Sequence, residues 1–164
     1  MIKTVKEVRR HNGSVGTVDV QSVADILERE LQNLIKDWLA RVDQEPDLSG
    51  IKLNYEDRTG HLPQLLHDVI ARLRLNAGSK APISKAAAIH GDLRRKQGYT
   101  AAMVVEESRI LQVSVFNTIQ NNLSKVDFSK VLLDVITIAD EVDSQLKQAM
   151  LSYSTPGRSE WSAA

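Results

Sequence analysis

The 164 residues are 42% hydrophobic and carry 21 basic against 21 acidic side chains, so one domain with a real core is expected. Zero net charge sets up no overall field that would draw nucleic acid or anionic lipid. With no cysteine, disulfide frameworks, thiolate zinc sites and cysteine nucleophiles are all excluded.

The opening stretch, MIKTVKEVRRHNGSVG, lacks the apolar centre of a signal peptide, and no apolar run reaches the ~20 residues of a membrane span. The reading is a cytoplasmic protein with no membrane contact. Residues 1–18 are expected to form a flexible arm with a short helix near Lys3–Arg10, and residues 19–153 one helical domain. Residues 154–164 (STPGRSEWSAA) read as a flexible tail. Within it Trp161 is either a partner anchor or an incidental aromatic.

Helical order is expected from Asp19, a suitable N-cap. Val20, Ala24, Leu27, Leu31, Leu34 and Trp38 then recur at steps of three and four, the face of one long helix. Glu45-Pro46 ends it, because the residue before proline resists the helical region. Residues 46–60, with Pro46, Gly50, Asn54 and Gly60, read as a long loop. Leu62, Leu65, Leu66, Val69, Ile70 and Leu73 make a second helix, with Pro63 tolerated in its first turn. Asn76-Ala77-Gly78-Ser79 stops it. A third helix is expected from Pro82 to about Gln97, with Gly98 as its C-terminal glycine. Thr100 caps a fourth helix with core residues Val104, Leu111, Val115, Ile119 and Leu123. Asp127 is the expected cap of a fifth, with Phe128, Val131, Leu132, Val135, Ala139, Val142, Leu146 and Met150 inward. On that helix Asp140, Glu141 and Asp143 read as an outer face.

No segment sustains period-two alternation, and the β-branched run Val131–Ile138 lies inside a longer helical stripe. The expectation is an all-α fold: a single antiparallel bundle of about five helices, with a globin-like arrangement as a variant.

The densest polar cluster is His90-Gly91-Asp92-Leu93-Arg94-Arg95-Lys96-Gln97-Gly98-Tyr99. Ala86, Ile89 and Leu93 give an apolar stripe there, and His90, Arg94 and Gln97 a polar stripe beside it. A polar stripe next to a core needs partners. Glu106-Glu107-Ser108-Arg109 on the next helix can supply them, so an Arg94–Glu107 pair near His90 is expected, against the alternative that these charges are solvated helix faces.

The run His90-Gly91, Arg94, Gln97-Gly98-Tyr99, then Glu107, Arg109 and Leu111, resembles the N-terminal domain family of RsbRD-type stressosome co-antagonists, also found at the front of bacterial sensor kinases. Trp38 with Arg41, and Leu62-Pro63 with Leu65 and Leu66, support the likeness, which spans roughly Val20 to Tyr153. Gln112 departs from the arginine frequent in that family, and Ser108 from a common aromatic. The resemblance implies a helical sensory or regulatory module, without catalytic activity or a cofactor. In multidomain relatives an output domain follows. Here about ten residues follow the last expected helix, so the module is expected to act alone or through a separate kinase or stressosome-type regulator. A homodimer through the long first and last helices is expected.

Two sharper readings stand beside this one. A haem or other ligand sensor would draw its axial ligand from His61, His67 or His90. A histidine phosphotransfer protein would use His90, although Leu93 and Arg94 stand where that class has lysine and glycine. Metal binding finds no spacing to favour it, since His61 and His67, six apart, do not share a helical face. No phosphate-binding loop or nucleophile elbow is present.

Overall fold

A computed structural model describes residues 20–75, 79 and 82–155. These residues are all-helical: α1 (Val23–Arg29), α2 (Leu31–Gln44), α3 (Pro46–Gly50), α4 (Tyr55–Thr59), α5 (Leu62–Arg74), α6 (Lys85–Lys96), α7 (Ala101–Asn121) and α8 (Val131–Ser154), with a 3₁₀ turn at Leu123–Lys125. No helix among the described residues is long and apolar enough to cross a membrane. The expected arm, the Asp19 cap, the stop at Asn76–Gly78 and Trp161 lie outside the described residues.

Local chemistry places most boundaries. Ser22 caps α1, its hydroxyl accepting from the Asp25 amide at 3.1 Å. The long first helix is two, because Glu30 (φ −90°, ψ 6°) leaves helical geometry between α1 and α2. Trp38 on α2 is fully buried, whereas Val20 is 60% exposed and outside the stripe. Glu45 is extended before Pro46.

The expected loop at 46–60 holds two short helices instead. Pro46 opens α3, and Asn54 caps α4 by accepting from the Asp57 amide at 2.8 Å. Five residues are too few to show a helical period, but Leu48, Arg58 and Thr59 are all buried.

Ser84 caps α6, and Thr100 caps α7 as expected. Gly98 between them has φ +85°, the left-handed conformation that favours glycine. α8 begins later than expected, at Val131, while Asp127 accepts from the Ser129 amide and hydroxyl in the preceding turn.

The inner face of α8 is also turned from the expected one. Ile138, Glu141, Val142, Gln145 and Ala149 are buried, whereas Phe128 and Leu132 are exposed. Glu141, expected outside, is 1% exposed. Leu123 likewise ends half out of the core, at 38% exposure in the 3₁₀ turn.

One core joins α1, α2, α5, α7 and α8, and α6 packs most extensively on α8. Gly91 and Ala87 on α6 let its backbone come against Ala149 of α8; a Cβ at position 91 would stand 1.9 Å from the Ala149 carbonyl oxygen. Gly91 meets Ala149, and Tyr99 beyond α6 meets Tyr153, so α6 and α8 run in the same sense. A β-type bridge, Gln21 with Val126, ties the start of the described chain to the α7–α8 connection.

Candidate functional site

The polar stripe of α6 faces the core and its apolar stripe faces out. His90, Gly91 and Arg94 are buried, while Ile89 is 68% and Leu93 37% exposed, the reverse of the amphipathic expectation. A buried charge of this kind survives only where every donor and acceptor is met.

Arg94, with no exposed surface, meets that requirement. Its Nε donates to Glu107 Oε2 at 2.8 Å. One terminal nitrogen donates to the Asp57 carbonyl (3.0 Å) and to Gln97 Oε1 (2.7 Å), and the other to the Arg58 carbonyl at 2.8 Å. Those carbonyls lie in the last turn of α4, which has no following turn to satisfy them and carries partial negative charge. The short helix missed in the sequence is thus half of the guanidinium's cradle.

Glu107, 2% exposed, is held from both sides. Its Oε1 accepts from the Tyr99 hydroxyl at 2.8 Å, and that hydroxyl accepts from Arg58 at 2.6 Å. Arg58 also donates to the carbonyls of Leu48 (3.1 Å) and Ile51 (2.6 Å). Trp38 Nε1 donates to the Glu107 carbonyl at 3.3 Å. Tyr153 near the end of α8 donates to the Tyr99 carbonyl at 2.8 Å. The Arg94 guanidinium lies 4.8 Å from the centre of the Tyr99 ring. Gly98 makes this possible by turning the chain so that the Tyr99 amide donates back to the Arg94 carbonyl.

Beside this network the His61 and His90 rings stack at 3.9 Å and 19°, with Trp38 edge-on to His61 at 6.1 Å. His90 Nε2 is 3.4 Å from Glu107 Oε2. Nδ1 of each histidine is buried without a hydrogen-bond partner. Burial, with the Arg94 charge adding to it, drives His90 down to about 3. Burial, then His90 and Arg94, lowers His61 well below the usual histidine range. Both imidazoles are therefore neutral at pH 7. Burial pushes the Glu107 carboxyl up against the opposing pull of Arg94. Burial and the Glu107 charge raise the Tyr99 phenol.

A cavity of about 30 Å³ adjoins the pair, lined by Trp38, His61, His90, Leu111, Gln145 and Ala149 among others. That is room for a water or a small ion, not for a porphyrin. His61, His90 and Glu107 each offer a ligand atom, all within 4.8 Å of one another.

Of the residues singled out in the sequence, Trp38, His90, Arg94, Gln97, Tyr99 and Glu107 meet here, with Gly91, Gly98 and Leu111 shaping the surroundings. Arg109 does not join them; it is exposed and paired with Glu106 and Glu45. His67 is exposed and lies outside the cluster. Sequence reasoning missed Arg58 and the partnership of His61 with His90, residues 29 positions apart that share no spacing pattern. Compared with known proteins, the chain matches no family model, no curated protein and no solved structure.

Proposed function

We propose that this chain is a non-catalytic signal-transduction module of the RsbRD type, working in the cytoplasm through protein contacts and as a homodimer. One observation carries the reading. The motif residues that suggest this family, Arg109 excepted, lie in or border a single buried network, in which Arg94 and Glu107 are held by each other and by surrounding elements. A network of this kind is suited to a two-state element, because losing one charged partner in a core costs roughly 3–5 kcal/mol and forces repacking. Tyr153 extends it to the end of α8, so a rearrangement at Glu107 reaches the molecule's surface.

The apolar surface supports association. Phe128, Leu132, Leu133 and Ile136, all more than half exposed, cluster around the start of α8. The first helices offer no comparable face, so the last helix is the better interface. Light scattering coupled to size exclusion tests this: a dimer that Leu132→Asp with Ile136→Asp converts to a folded monomer supports the reading. A wild-type chain monomeric at every concentration removes the dimer from it.

The phosphotransfer reading has less support, since His90 is 6% exposed and lies behind Glu107 and His61. The small cavity likewise disfavours haem.

A further inference from the structure

The geometry points to a binding site for one transition-metal ion of the zinc class, held by His61, His90 and Glu107. The three residues come from the turn before α5, from α6 and from α7, and their ligand atoms lie within 4.8 Å of one another. Two imidazoles and a carboxylate, plus one position for a small fourth ligand, form a donor set used by zinc. Nitrogen donors of this softness select zinc, cobalt, nickel or copper over magnesium or calcium.

One of the separations already fits that size of ion. The His90 Nε2 to Glu107 Oε2 separation is 3.4 Å, the edge expected between two donors each about 2.0–2.1 Å from a tetrahedral zinc. His61 closes the third position by leaving its stack on His90, a ring rotation at the residue that caps α5. Its Nδ1 is buried without a hydrogen-bond partner, so ligation through that atom would satisfy a polar group that the fold leaves unmet.

The surroundings are those of an ion site as well. Arg94 and Tyr99 hold the Glu107 carboxylate from outside, fixing its orientation. The adjoining cavity of about 30 Å³ has room for one water or hydroxide. Charge decides what occupies that position. Arg94 and Arg58 already outweigh Glu107, so an anionic fourth ligand, hydroxide or chloride, is favoured over neutral water. Arg94 keeps three acceptors besides Glu107 and does not have to leave.

The site is independent of whether the protein signals, and the test reads binding alone. The full chain, stripped with chelator, is titrated with cobalt(II) and followed by its visible d–d absorption, then challenged with zinc. Expected is a saturable band at one ion per chain, displaced by zinc but not by magnesium. His61→Ala and His90→Ala should each weaken cobalt binding by at least the 10–100-fold seen when merely supporting residues are lost. His67→Ala, at an exposed histidine outside the cluster, should leave it unchanged. Circular dichroism establishes that each variant is folded. Absence of the band in folded wild-type protein, or a band that persists in a folded His61→Ala, His90→Ala double variant, would overturn the assignment.

Discussion

Gly91→Ala sets two effects of known sign against each other. Alanine in the middle of a helix is favoured over glycine by about 1 kcal/mol, so on helix propensity alone α6 should gain. The added Cβ, however, would lie 1.9 Å from the Ala149 carbonyl oxygen and 2.6 Å from its carbonyl carbon. Both are main-chain atoms of a long helix and cannot rotate away. α6 and α8 must part by roughly 1 Å, a gap that forfeits a quarter to a half of each dispersion contact along the seam. Overpacking of this kind costs about 1–3 kcal/mol, and collision with backbone places it at the upper end. The net expectation is a loss of about 2 kcal/mol, or a melting temperature lower by roughly 4–8 °C for a domain of this size. Urea unfolding followed by circular dichroism measures it, with Ala149→Gly in the Gly91→Ala background as the control. The control should not rescue, because the struck atom belongs to the main chain. A Gly91→Ala protein as stable as the original, or full rescue by the control, would refute the close approach of these helices.

Gly98→Ala tests backbone conformation without packing: nothing lies within 4 Å of an added Cβ, yet φ is +85°, so thermal unfolding should show a loss of about 1–2 kcal/mol. Arg94→Ala should cost roughly 3–5 kcal/mol by stranding Glu107, and combining it with Glu107→Ala should fall short of additivity by about 0.5–3 kcal/mol; additive losses in a double-mutant cycle would remove the pairing. Glu141 is 1% exposed, and burial raises its carboxyl above the usual value. Its protonated form fits the fold better, so its contribution to stability is complete below the unfolded carboxyl value and is lost as pH rises toward the folded one. Glu141→Gln should therefore raise stability at pH 7, with the gain vanishing near pH 4 and below; a gain independent of pH would separate it from ionisation.

The long helices were legible in the sequence because their apolar period extends over several turns, as in α5, where Leu62, Leu65, Leu66, Val69 and Ile70 are all buried. The Arg94–Glu107 pair was legible too, since a polar stripe next to a core demands a partner. What escaped is physical in origin. On α6 the small residues Ala87 and Gly91 allow a close helix contact, and that contact turns the polar stripe inward and Ile89 outward. Hydrophobic periodicity assigns the opposite face. On α8 the inward Glu141 and Gln145 weaken the period in the same way. Arg58 was invisible because its partners are mostly carbonyls of residues 48 and 51, which every sequence possesses.

Trp38 gives the molecule an optical reporter of its own centre. The indole donates to the Glu107 carbonyl and stands edge-on to the His61 ring, so its emission responds to the polarity, hydration and charge of the same few ångströms. The sequence contains one other tryptophan, Trp161. A Trp161→Phe protein would therefore fluoresce from the hub alone, and any event that loosens Arg94, unstacks the imidazoles or admits solvent can be followed in real time without a label.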